Sequence, residues 1–117
     1  QLILGLAGEN SQTVYQGMVV LDTGSDHSQA SVESMNLTIG KKSQCHSKPE
    51  IYSNIQNVKS SLGSITEYLG DDKIYYLQSR GLDPKQAAKT VVNSFQKQVI
   101  NLVSFEDLRE EITEMFE

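Results

Sequence analysis

The stretch Ser79-Arg80-Gly81-Leu82-Asp83-Pro84-Lys85-Gln86 constrains the fold more than any other, because it holds both the end of one helix and the start of the next. Gly81 is the residue type that follows a helix C-terminus, where the backbone turns left-handed and a missing Cβ removes the cost. A helix ending at Arg80 therefore has its stop. Asp83 then offers a side-chain acceptor as N-cap, Pro84 suits the first helical position, and Gln86 sits three residues beyond the cap, where a capping box needs it. Leu82 and Asp83 are left as a very short link.

Downstream, Ala87, Ala88, Val91, Val92, Phe95, Val99 and Ile100 recur at helical spacing, which predicts one apolar face on a helix running to about Val103, with Ser104 as the next cap. A third helix is expected from Phe105, with Leu108, Ile112, Met115 and Phe116 on one side and acids elsewhere. Glu114 and Glu117 oppose the macrodipole in the last turn, a pattern expected where the native chain continues or the helix end frays. Upstream, a first helix is expected with Asp71 as its N-cap and Ile74, Tyr75, Leu77 and Gln78 turned inward.

Everything before Gly70 reads differently. Val14 to Leu21, Val32 to Ile39 and Glu50 to Val58 are rich in Val, Ile, Tyr and Thr, and turn clusters such as Gly8-Glu9-Asn10-Ser11, Asp22-Thr23-Gly24-Ser25-Asp26 and Gly40-Lys41-Lys42-Ser43 break them up. Such strands suit a meander, a sandwich or a solenoid of β coils, and periodicity does not choose among them. The fold class is thus mixed β then α, with residues 1–69 as the β part and 70–117 as a small C-terminal helical domain.

Composition narrows the function. Ten Lys and Arg against fifteen acids, a net charge of -5, argue against general nucleic-acid binding. No apolar run approaches the ~20 residues that span a bilayer. Gln1 to Ala7 is apolar but short, and it lacks the basic flank of a signal peptide; with no initial Met, the chain reads as a piece of a longer protein whose upstream strands pack on this start. One cysteine, Cys45, excludes an internal disulfide framework and fits a reducing compartment.

Signals for chemistry are few. Cys45-His46, with His27 upstream, offers thiolate and imidazole ligands for zinc or an iron-sulfur cluster, although no paired-cysteine motif accompanies them. Asp22 and Asp26 frame Gly24 as a turn does, which outweighs paired-carboxylate catalysis. Gly5-x-x-Gly8 lacks the Lys of a phosphate loop and reads as backbone punctuation. No catalytic residues are assigned, and the chain is not expected to be an enzyme.

Gly70-Asp71-Asp72-Lys73-Ile74-Tyr75-Tyr76-Leu77-Gln78-Ser79-Arg80-Gly81-Leu82, followed by Gln86-Ala87-Ala88 and Phe95, resembles the C-terminal signature of the SufB/SufD family of iron-sulfur cluster assembly proteins. Val14-Tyr15-Gln16-Gly17, Lys48-Pro49-Glu50-Ile51-Tyr52 and Val58-Lys59-Ser60-Ser61-Leu62-Gly63 resemble its upstream segments in order. The resemblance implies a right-handed parallel β-helix, here its C-terminal coils, followed by a helical domain. It implies pairing with a SufB-like subunit, or with a second copy, through the β-helix, and docking of the SufC ATPase through the helical end. It places the protein in the bacterial cytoplasm or, in a eukaryote, the plastid stroma, with any iron-sulfur cluster held only at the assembled complex.

Departures from the family shape what carries over. The Cys of SufB-type chains falls at Ser34 and the Glu-His pair at Ser61 and Leu62; the SufD-type His also falls at Leu62, beside Ser60 in place of a Cys. Serine is a poor iron ligand and leucine is none. Scaffolding of the SufD type is therefore the expected role, with Tyr76, Leu77, Arg80, Gly81, Leu82 and Phe95 as partner-binding residues. Two rival readings are a metal- or cluster-ligating protein using Cys45 and His46, and an unrelated β-rich binding module. For Arg80 two roles stand open: satisfying carbonyls at the helix end, or reaching an acid on a partner.

Overall fold

Strands two apart in sequence are neighbours in space. The computed structural model describes residues 1–116, in the order β1 (Leu2–Ala7), β2 (Gln12–Leu21), β3 (Gln29–Ile39), β4 (Gln44–Ser53), β5 (Lys59–Leu69), α1 (Asp71–Gln78), α2 (Pro84–Ile100) and α3 (Glu106–Phe116). One sheet has the order β1-β3-β5 and the other β2-β4, and every pairing is parallel. Meanders and ordinary sandwiches pair their strands antiparallel, so both of those alternatives fall away. The chain instead visits the two sheets in turn. Leu2 pairs Glu33, Gln12 pairs Gln44 and Gln29 pairs Lys59, so each strand lies on the one a circuit earlier, in a pattern compatible with stacked β coils.

The expected turn clusters connect these strands. Ser11 N–H donates to Gly8 O, Ser25 N–H to Asp22 O and Ser43 N–H to Gly40 O. Asp22 also accepts from its neighbour's amide, Thr23 N, at 2.8 Å, which is a turn's use of a carboxylate. Strand limits differ from expectation: β2 and β3 start two and three residues early, and the strand expected over Glu50 to Val58 stops at Ser53, leaving 54–58 outside any strand. β1 occupies the apolar start, β4 begins six residues before the expected Glu50, and β5 fills a stretch for which periodicity indicated no strand.

The two sheets meet across a polar interior. Ser34 of β3 and Ser47 of β4 share a hydroxyl hydrogen bond between sheets, which fixes the faces that look at each other. By strand alternation Val32, Ser34, Asn36 and Thr38 lie on the inward side of β3, all buried. Asn36 Nδ2 donates toward Thr66 Oγ1 at 3.4 Å and Ile65 O at 3.3 Å on β5. On its other flank Asn36 faces Gly5 of β1, and a Cβ there would stand 2.4 Å from Asn36 Oδ1. A side chain at Gly5 would therefore have to displace this buried amide, which gives the glycine a packing role beyond punctuation.

The chain divides into two units, Gln1–Leu69 and Gly70–Glu117. In the second unit the capping box is complete: Asp83 Oδ1 accepts from Lys85 N at 2.9 Å and Gln86 N at 3.1 Å, while Gln86 Oε1 accepts from Asp83 N at 3.3 Å. Ala87, Phe95 and Ile100 are buried and Ala88, Val91, Val92 and Val99 half-buried, the predicted stripe. Three details differ. Gly70, not Asp71, is the N-cap of α1 and makes no side-chain bond; Asp71 and Asp72 occupy the first turn, where their charge suits the dipole. Tyr75, expected inward, is 73% exposed, while Ile74, Leu77 and Gln78 are half-buried. α2 ends at Ile100, and the first turn of α3 opens with Arg109 N–H donating to Phe105 O, so Phe105 takes the place expected of Ser104. Glu117 and the side chain of Phe116 lie outside the described residues.

Candidate functional site

The helix end at Gly81 is built by backbone bonds. Gly81 has φ of +96°, its N–H donates to Gln78 O at 2.9 Å, and Leu82 N–H reaches back to Leu77 O at 3.3 Å. That pair of bonds is a Schellman motif, whose usual companion is an apolar pair at the first and last positions. Leu77 and Leu82 occupy those positions, and both are half-buried. Arg80 N–H donates to Leu77 O, Ser79 N–H to Tyr75 O and Ser79 Oγ to Tyr76 O. The last carbonyls of α1 are thus satisfied without a guanidinium.

Arg80 turns back one helical turn to Tyr76 instead. Its Nη2 donates to the Tyr76 hydroxyl at 3.1 Å, and its guanidinium carbon lies 5.4 Å from the ring centroid, within cation–π range. Tyr76 is 58% exposed, and Arg80 is exposed beside it. The expected partner-binding residues therefore divide by depth. Tyr76, Arg80 and Gly81 present a surface, with Tyr75 added to it; Leu77 and Leu82 brace the elbow, and Phe95 belongs to the core of α2.

Cys45, His46 and His27 are not brought together. Adjacent strand residues face opposite ways, so Cys45 points inward, 3.9 Å from Leu37 O, while His46 points out, with Nε2 3.4 Å from Gln44 Oε1. His27 precedes β3, where its N–H donates to Asn57 O, and its left-handed φ of 64° belongs to a turn. The strand from Gln29 to Leu37, at about 3.3 Å per residue, separates His27 from Cys45 by about 26 Å. Among the described residues no three His, Cys, Asp or Glu side chains are placed to hold a metal ion. The positions matching the family's ligating residues fare no better. Ser34 is buried against Ser47, Ser61 Oγ donates to Ser31 Oγ at 2.9 Å, and Leu62 is 53% exposed on the opposite side of β5 from Ser61.

Burial pushes the Cys45 thiol above its ordinary value, against smaller opposing effects of hydrogen bonds from the Thr13 side chain and the Ala7 backbone. The folded chain then holds this proton more tightly than the unfolded chain does. The associated stability is fully present below the ordinary thiol value and is lost as pH rises through the raised one. Alkylation by iodoacetamide at pH 8 is expected to be several-fold slower in the native chain than in urea. Equal rates would show that the thiol is neither shielded nor perturbed.

The buried Ser34, Asn36 and Thr38 were not singled out as interior residues from sequence, yet they recur at a period of two, which is the signal for one strand face. Together these features define a β-then-α chain that carries an exposed, braced helix elbow. The chain belongs to the SufBD family: the family model described as "SUF system FeS cluster assembly, SufBD core domain" matches residues 1–95. It is 28% identical over 109 residues to the iron-sulfur cluster assembly SufBD family protein slr0076 of Synechocystis, covering 93% of this chain and 24% of that protein. It is 22% identical over 112 residues to the iron-sulfur cluster assembly protein SufD of Escherichia coli, covering 96% of this chain and 26% of that protein. A chloroplastic SufBD family protein of Arabidopsis thaliana, ABCI8, is 24% identical over 97 residues, 83% of this chain and 17% of that protein. The chain spans about a quarter or less of the length of these relatives. Membership sets aside the unrelated β-rich module. No described helix is long and apolar enough to cross a membrane.

Proposed function

We propose that this chain is the C-terminal part of a SufD-like scaffold subunit of the SUF system, not itself an enzyme, which docks a SufC-like ATPase through its helical elbow. The observation that carries the reading is the exposed Tyr76-Arg80 pair on an elbow whose backbone is already satisfied. A rigid surface with an aromatic and an arginine is what a hot spot needs, since little entropy is lost on binding. The parallel, two-sheet β unit is read as the last coils of a right-handed β-helix, which pairs with a SufB-like subunit or a second copy. Family membership and the replacement of ligating positions by Ser34, Ser61 and Leu62 support scaffolding over cluster ligation, with any cluster held at the assembled complex. The bacterial and chloroplastic relatives support the bacterial cytoplasm or the plastid stroma as the compartment.

A pull-down of the SufC-type ATPase from the same organism tests this. Wild-type chain is expected to retain it, and Arg80→Glu and Leu77→Asp are expected to reduce retention at least about tenfold, the loss typical of a damaged hot spot. Unchanged retention by both variants overturns the docking assignment.

A further inference from the structure

We infer that Arg80 is the reading head of this elbow, and that the segment seated on it carries a carboxylate flanked by apolar surface. The inference rests on the docking role proposed above and names the chemistry of the partner at that site. An arginine at a helix end has two ordinary employments, and the structure removes one of them. The terminal carbonyls of α1 are taken by the N–H groups of Ser79, Arg80, Gly81 and Leu82 and by the Ser79 hydroxyl. The guanidinium is left to lie against Tyr76, where one N–H bonds the phenol oxygen and the ring attracts the arginine's charge.

A guanidinium has five N–H donors in a planar fork, and one bond to a hydroxyl leaves an edge free for bidentate recognition of a carboxylate. The pairing with Tyr76 also restricts the long side chain before the partner arrives, which lowers the entropy lost on binding. Around the elbow itself the signs are mixed, with Asp83 and Lys85 shortly after Arg80 in sequence and Asp71 and Asp72 at the other end of α1. What distinguishes Arg80 from the lysines is its planar fork, already oriented by Tyr76, which suits a carboxylate in a fixed place better than a free ammonium does. Exposed Tyr76, in contact with Arg80, and exposed Tyr75 next to it in sequence supply apolar surface for that contact.

The test is titration calorimetry of the chain with the SufC-type ATPase of the same organism at two salt concentrations. It uses Arg80→Gln, Arg80→Lys and a separate Tyr75→Ala variant, with circular dichroism confirming unchanged helix content for these surface changes. Arg80→Gln is expected to weaken binding at least about tenfold and to flatten its salt dependence, as loss of a charge pair does. Arg80→Lys is expected to keep the salt dependence but recover only part of the affinity, because an ammonium cannot make the bidentate contact. If Tyr75→Ala weakens binding while Arg80→Gln changes neither affinity nor salt dependence, the carboxylate contact is wrong and the docking reading stands. If wild type itself does not bind, both are wrong.

Discussion

Phe95→Ala is expected to unfold the helical unit at ambient temperature. Phe95 is 7% exposed, on the buried stripe of α2 between Ala87 and Ile100. Truncating a buried phenylalanine costs about 3–5 kcal/mol, because transferred area is lost and a cavity is left. At roughly 0.05–0.15 kcal/mol per residue, a unit of fewer than 50 residues holds only about 2–7 kcal/mol in all. The loss is thus comparable to the whole. Far-ultraviolet circular dichroism should show a fall in helical signal, and amide exchange should show protection lost across α1 and α2. Phe95→Leu, which keeps most of the volume, should lose far less. A native helical spectrum and native exchange in Phe95→Ala would show that the stripe does not hold the unit together.

The helical half was legible because its determinants are local. Gly81, Asp83, Pro84 and Gln86 act within a few residues: Gly81, Asp83 and Gln86 make the bonds their types predict, and Pro84 takes the first helical position. Tyr75 was misplaced because α1 is short, and a periodic reading over so few turns leaves the inward arc poorly fixed. The β half was legible in kind and not in detail. Val14 to Leu21 and Val32 to Ile39 matched β2 and β3 because their composition favours strands. β4 starts earlier than expected since Gln44-Cys45-His46-Ser47-Lys48-Pro49 has little strand propensity of its own and contains a proline. Proline is tolerated on an edge strand, and β4 has a single hydrogen-bonded neighbour.

β5 was invisible for a related reason. Lys59-Ser60-Ser61-Leu62-Gly63-Ser64 carries no alternation of apolar and polar residues, and its order comes from parallel pairing with β3, a contact made about thirty residues away. Non-local pairing leaves no mark on a short window. The candidate site shows the same division. The elbow's geometry follows from its residue types, whereas the contact of Arg80 with Tyr76 required coordinates to separate it from capping. Likewise Cys45 and His46 are adjacent in sequence, and only strand alternation shows that they face apart.

The interior of the β unit gives the second large effect. Gly5→Val is expected to destabilise that unit by about 2–4 kcal/mol, the sum of overpacking a full interior and breaking the hydrogen bonds of a displaced buried amide. The new Cβ would meet Asn36 Oδ1 at 2.4 Å, and Asn36 is 3% exposed. In an open site the amide would swing aside at little cost. Here its Nδ2 is engaged with Ile65 O and Thr66 Oγ1, so moving it strands polar groups on β5 as well. The two positions should therefore be coupled. In an Asn36→Ala background the room for valine already exists and no amide remains to displace, so the added cost of Gly5→Val should fall below about 1 kcal/mol. Urea denaturation of the four chains of this cycle, followed by the strand signal, measures the coupling directly. Additive effects would mean that Gly5 is small for some reason other than the buried amide. A large coupling would establish that the polar interior, and not apolar alternation, sets which residue each coil can place beside its neighbour.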